Sequence, residues 1–248
     1  VERTGLLRTF PEDELAIAAA PRSARGELFF LTSRQIVNPG SITSTIWKTD
    51  GTAPGTQAVA ALPSDHSSPW DWREGAQGAE AFYFAWSDLE HGRELWGTDG
   101  TAAGTGLAAD IEPGPESSSP WQLRTVGDQV IFRAGTAGAG LELWQVDGGF
   151  PTAQPVADLY PGIESSAPLM LGTTDEALYF LADDGVVGRE IWQIDRPSVA
   201  PCVADATTLC LADGRFAASV TWHDFAGRSG VGTPIVLTPD TGSFWFFD

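Results

Sequence analysis

Positive charge is what this chain has least of. Lys48 is its single lysine, and 14 basic residues stand against 33 acidic ones, a formal charge of −19 over 248 residues. Nucleic-acid binding needs a cationic stripe that displaces counterions, so that partner is not expected. An anionic membrane surface would repel the chain for the same reason. Long apolar runs are missing too, and with them any expectation of a membrane-spanning helix or membrane insertion. The opening VERTGLLRTFPEDEL lacks the basic start and apolar core of a signal peptide, so a cytosolic chain or one whose leader has been removed is expected. The three histidines, His66, His91 and His223, fall in no HExxH, nucleophile-elbow or metal-triad spacing. No Gly-rich phosphate cradle follows a strand and opens a helix. With 42% hydrophobic residues the chain can still bury a sizeable core.

Cysteine is scarce but paired. Cys202 and Cys210 lie eight residues apart, which suits a disulfide across a short loop in an oxidising compartment. Unpaired thiols are the next reading. A zinc site comes last, because His223 is the only nearby further ligand. The single lysine beside abundant Ala, Gly, Asp and Pro suits a high-GC bacterial genome, and the combined expectation is a secreted bacterial protein.

What the chain does have is a repeat. Trp47, Trp96, Trp144 and Trp192 stand 49, 48 and 48 residues apart. Upstream of each is an aromatic or apolar strand pattern: Leu28-Phe29-Phe30, Phe82-Tyr83-Phe84, Val130-Ile131-Phe132 and Leu178-Tyr179-Phe180. Phe84, Phe132 and Phe180 each precede their tryptophan by 12 residues, and Phe30 precedes Trp47 by 17. The loop Asp110-Ile111-Glu112-Pro113-Gly114 with Ser117-Ser118 returns as Asp158-Leu159-Tyr160-Pro161-Gly162 with Ser165-Ser166. A weaker form is Leu62-Pro63 with Ser67-Ser68-Pro69.

Four short strands in about 48 residues, with turns throughout and no helical periodicity, predict an all-β fold of β-propeller blades. Thr4-Gly5-Leu6-Leu7 matches Thr105-Gly106-Leu107-Ala108, so the chain starts at the third strand of a unit, and the repeats stop after the second strand at Asp195. The arithmetic predicts four blades, one shared between the two ends of the repeat region, which would leave no exposed edge. The alternative is a longer array closed by other copies. The domain division expected is 1–196 for the repeats and 197–248 for a C-terminal β module, with a linker beginning at Arg196-Pro197.

ELWGTDGTAAGT and ADIEPGPESSSP resemble the ELW-x-x-DGT repeat family of secreted bacterial proteins, over residues 4–196. The resemblance implies extracellular residence and a repeat-built β domain, and it carries no activity. Thr45-Ile46 replaces Glu-Leu in the first copy, and the third and fourth copies lose the Thr-Asp-Gly-Thr turn. The C-terminal stretch is similar to the opening of a β-sandwich module found at the ends of secreted bacterial proteins. It is about 50 residues long, which is short for a whole sandwich.

The repeated tryptophans Trp47, Trp96, Trp144 and Trp192 read as packing between blades. Trp72 and Trp86 have no counterparts in other copies and are the candidates for a ligand-stacking surface, with Asp88, Glu90 and His91 in the adjoining loop. Asp99, Asp183 and Asp184 sit in acidic turns with the oxygen chemistry of calcium ligands; the competing reading is that each Asp caps its own turn. Glu94, Glu142 and Glu190 recur in register, with pairing to Arg93 or Arg189 and solvent exposure both open. No catalytic residues and no cofactor other than calcium are expected. The leading functional expectation is a non-enzymatic module binding a glycan or an extracellular protein. A structural subunit assembling with copies of itself is the alternative, and a carboxylate-dependent glycoside hydrolase the second.

Overall fold

The computed structural model describes residues 5–12, 14–17, 26–35, 42–63, 72, 74–146, 153–174 and 177–195, and the strand segments 217–218, 221–223, 229–231, 235–238 and 241–242. Its regular structure is β throughout, and no helix among the described residues is long and apolar enough to cross a membrane.

Each repeat folds as an antiparallel meander. The first sheet orders β1 (Glu14–Ile17), β2 (Leu28–Gln35), β3 (Ile42–Thr49) and β4 (Gln57–Leu62) side by side. The second does the same with β5 (Ala76–Gln77), β6 (Phe82–Asp88), β7 (Gly92–Thr98) and β8 (Thr105–Ala109). The third contains β9 (Trp121–Val126), β10 (Gln129–Thr136), β11 (Gly140–Val146) and β12 (Ala153–Ala157). The fourth begins with β13 (Leu169–Thr173), β14 (Ala177–Asp183) and β15 (Arg189–Asp195).

The repeated aromatic and the repeated tryptophan turn out to be cross-strand partners. Phe30 stands opposite Trp47, Phe84 opposite Trp96, and Phe180 opposite Trp192. Facing aromatics stabilise a strand pair by burying both rings at one site. The longer spacing in the first copy is absorbed by the hairpin, so the pairing survives. A bulge recurs beside the tryptophan, between Ile46 and Trp47 against β4 and between Leu95 and Trp96 against β8. Such a bulge adds local twist to the outer strand.

The fourth sheet departs from expectation. Residues 5–11 form no strand, and β15 pairs instead with β17 (Thr221–His223), which continues to β18 (Ser229–Val231). Trp222 lies opposite Trp192, in a sheet of five strands. The neighbouring strands β16 (Ala217–Ala218), β19 (Ile235–Thr238) and β20 (Thr241–Gly242) form a small sheet of their own.

The chain divides into two compact units. One comprises Val1–Arg124, Asp128–Phe132 and Val146–Ala153, and the other Thr125–Gly127, Arg133–Gln145 and Gln154–Asp248. The core of the first gathers Phe29, Leu31, Ile46, Leu62, Trp72, Phe82, Phe84, Trp86 and Trp96. Burying each such side chain contributes roughly 2–3 kcal/mol against the entropy of ordering it. β5 has only two residues, against six in β9, and Trp72 packs 4.9 Å from Phe82 and 4.5 Å from Phe84 (ring centroids) beside that short strand.

Candidate functional site

Two hydrogen-bonded devices account for the repeated sequence. The first is the Thr-Asp-Gly-Thr-x-x-Gly-Thr loop that follows the tryptophan strand. Asp99 Oδ1 accepts from the Thr101 amide at 2.8 Å and from its hydroxyl at 2.7 Å. Thr101 Oγ1 accepts from the Gly104 amide, and the Thr105 hydroxyl donates to the Thr101 carbonyl. Thr98 and Thr105 then join through their hydroxyls at 2.6 Å. The same bonds recur over Thr49 to Thr56, with Asp50 in the part of Asp99. Those bonds to Thr52 hold the Asp50 carboxyl below the usual carboxylate range. A side chain at the second glycine would force the cap to shift, because a Cβ on Gly104 would sit 2.2 Å from the Asp99 carboxyl carbon.

The second device is a buried carboxylate clamp. Glu94, in β7 and 0% exposed, accepts from the Ile111 amide at 2.9 Å, the Ser118 amide at 2.6 Å and the Ser118 hydroxyl at 2.5 Å. Glu142, in β11 and 1% exposed, accepts from Leu159 and Ser166 in the same pattern, at 3.3, 2.8 and 2.6 Å. The donors lie 17 and 24 residues beyond the glutamate in both copies. Burial drives both carboxyls upward, against the lowering effect of these bonds, and Glu142 is raised to about 7. Around each clamp the preceding serine accepts from the strand: Ser117 Oγ from the Arg93 amide and Ser165 Oγ from the Leu141 amide, both at 2.9 Å. The residue after the clamp serine, Ser119 or Ala167, adopts a positive φ, which costs on the order of 1 kcal/mol without glycine.

The clamp fixes the base of a hairpin tip. Gly92 and Gly140 have φ of 65° and 64°, and a Cβ on either would lie 2.1 or 2.2 Å from the carbonyl oxygen of Glu116 or Glu164 in the clamp loop. Gly188, with φ 97° and open space where a Cβ would stand, holds the same place in the fourth sheet. Ahead of each of the three glycines is a triplet, and ahead of the triplet a capping residue in constant register: Asp88, Thr136 and Asp184. Asp88 Oδ1 accepts from the amides of Glu90 and His91, Thr136 Oγ1 from Ala139, and Asp184 Oδ1 from Val186 and Val187. Between cap and glycine the three copies carry Leu-Glu-His, Ala-Gly-Ala and Gly-Val-Val. Leu89 is 85% exposed and Val186 83%. The frame repeats and the displayed triplet does not.

In the first of these tips, His91 Nδ1 lies 2.9 Å from Asp88 Oδ2. Hydrogen bonding to Asp88 raises the imidazole pKa, outweighing slight desolvation, and the charges of Asp88, Glu90 and Asp110 add to it. Burial opposes ionisation of Asp88, but bonds from His91 and the Glu90 amide outweigh it and hold that carboxyl low. Residues 88–91 therefore present an apolar side chain, an exposed carboxylate 4.0 Å from His91 Nε2 and a titratable ring on a pre-organised turn.

The sequence-predicted residues fall into place unevenly. Asp88, Glu90 and His91 do share one tip. Trp72 and Trp86 do not join them as a stacking surface: both are core residues, 0% and 2% exposed, and the Trp86 indole donates to the Pro63 carbonyl. Asp99 and Asp184 serve as turn caps for amides, and Asp183 accepts from Gly185. Among the described residues no three His, Cys, Asp or Glu side chains gather as a cation would need. Trp47, Trp96 and Trp192 are buried as packing residues, and Trp144 is partly buried. Cys202 and Cys210 lie outside the described residues, as do residues 36–41 between β2 and β3. The clamp glutamates were readable only as recurring acids; the signal that identified their partners was the Ser-Ser pair returning at a fixed distance. No protein-family model and no curated protein matches the chain.

Proposed function

We propose that this chain is a secreted bacterial β-propeller module of the ELW-x-x-DGT type, and that it binds a glycan or protein partner through its hairpin tips. One observation carries the reading: a side-chain cap and a positive-φ glycine bound a triplet that changes from copy to copy in three hairpins, and in two of them the base is clamped. A rigid frame with variable exposed loops is the usual physical basis of a recognition surface. The carboxyls raised toward neutrality, Glu94 and Glu142, have their oxygens committed to the clamp, which favours binding over carboxylate-dependent hydrolysis. At the first tip exposed Leu89 supplies apolar contact area, and Glu90 and His91 supply polar specificity; at the tip of the fourth sheet Val186 is the exposed apolar side chain.

The experiment exchanges tips between copies. Leu89→Ala, Glu90→Gly and His91→Ala together give the second repeat the Ala-Gly-Ala of the third. On a glycan array and against soluble polysaccharides, the parent chain binds saturably, and the exchange removes or redirects that binding with the melting temperature unchanged. Binding indifferent to exchange at this tip and at 185–187 sinks the reading. Growth in mass with concentration by light scattering, without any saturable ligand, supports the assembly alternative instead.

A further inference from the structure

We propose that Arg133 and Gln145, on one face of the β10–β11 pair, form a binding site for a carboxylate group, in the second compact unit and independent of the tip triplets. Arg133 lies in β10 at the register that Ala85 and Leu181 occupy in the copies before and after it. A guanidinium thus replaces an apolar side chain at a position the repeat otherwise uses for packing. It is only partly exposed, and among the described residues no acceptor pairs with it. Burial, and then the like charge of Arg189, hold its pKa below the ordinary value. Arg189 itself gives one N–H to the Ala167 carbonyl at 3.0 Å, out of the five donors a guanidinium carries. Arg189 faces Asp183 across the β14–β15 pair, so the cation that stands without an acidic partner among the described residues is Arg133, which is unexpected in a chain with 33 acidic and 14 basic residues.

Gln145 supplies a second, independent observation. Its side chain is 4% exposed, and its Nε2 has no hydrogen-bond partner. Buried amide donors are normally satisfied, so an unmet one calls for an acceptor. Thr136 and Gly140 close the β10–β11 hairpin, and the equivalent sheets pair Ala85 with Leu95 and Leu181 with Ile191. That register sets Arg133 opposite Leu143 and Ile131 opposite Gln145, so Arg133 and Gln145 share a face one diagonal step apart. Unmet guanidinium and amide N–H groups on one face match a planar oxyanion. The −19 field of the chain disfavours a dianion more than a monoanion, which selects carboxylate over sulfate or phosphate.

The test is thermal unfolding of the whole chain at pH 7 and constant ionic strength, with chloride replaced by acetate, glucuronate, N-acetylglycinate or sulfate. The site predicts a saturable rise of about 3 °C at ten times Kd for carboxylates, with sulfate weaker. A larger response to glucuronate assigns the site to acidic sugars, and a larger response to N-acetylglycinate to peptide termini. Arg133→Leu, which borrows the residue of the fourth copy, folds at least as stably and loses the response. Gln145→Met keeps the response with Kd raised about tenfold. Equal melting in chloride and every carboxylate, a stronger response to sulfate, or an undiminished response in Arg133→Leu overturns the assignment. Any of these leaves the tip reading standing, because the tip exchange is read on different residues.

Discussion

Replacing Glu142 with glutamine isolates the clamp with little change in shape. In the parent chain the carboxyl accepts from two buried backbone amides and a serine hydroxyl. Its pKa stands at about 7 when folded against 4.5 ordinarily, with burial as the largest cause. A group raised on folding stabilises the fold most when protonated. Its contribution is complete below pH 4.5 and disappears as pH climbs through about 7. At about 1.4 kcal/mol per pH unit, the span between the two limits is about 3 kcal/mol. Glutamine cannot titrate, and its NH₂ must face one of the amide donors, which costs roughly 1–2 kcal/mol. Glu142→Gln is therefore expected to be less stable than the parent at pH 5, and equal or more stable at pH 8.5. Urea unfolding from pH 4.5 to 9 measures this directly, and the difference between the two proteins removes the background from Glu94, His91 and net charge. Parallel profiles, or a parent that gains stability from pH 5 to 8.5 relative to the variant, would refute the reasoning.

Other consequences follow from the same geometry. Gly104→Ala drives a Cβ into the Asp99 carboxylate, and a loss of about 1–3 kcal/mol by chemical unfolding is expected; in an Asp99→Ala background the cost falls, a non-additivity that a double-mutant cycle reads. Gly140→Ala, at φ 64° and 2.2 Å from a carbonyl oxygen, is expected to cost more than 2 kcal/mol, whereas Gly138→Ala, with nothing within 4 Å, stays within about 0.5 kcal/mol. Trp72→Ala leaves a cavity among Phe82 and Phe84 and is expected to lower stability by roughly 3–5 kcal/mol, with any ligand affinity of the folded fraction unchanged in equilibrium titration.

Much of the fold was legible in the chain. The 48-residue spacing of the tryptophans located the strands, and the 12-residue offset from Phe84 and Phe180 reflected a cross-strand partnership that the hairpin register makes explicit. The Thr-Asp-Gly-Thr turn read correctly as a turn, since its bonds are local. Trp72 and Trp86 were misread because lack of a counterpart suggested a surface role. Trp72 instead packs beside the two-residue β5, and Trp86 joins the same core. The clamp was half visible. Glu94 and Ser118 recur in step with Glu142 and Ser166, but contact across 24 residues depends on a loop folding back over a strand, which periodicity alone does not encode. Edge pairing was the least legible, because β15 takes β17 from beyond the repeats, where the sequence has no period to follow.

Native-state hydrogen exchange tests the clamp, on which the rigid display of the tips depends. The amides of Ile111, Ser118, Leu159 and Ser166 lie in loops outside the strands, yet each donates to a buried carboxylate. Protection of these four comparable to β7 and β11 is expected, lost locally for Leu159 and Ser166 in Glu142→Ala. Exchange as fast as that of Glu116 and Glu164 in the same loops would contradict it.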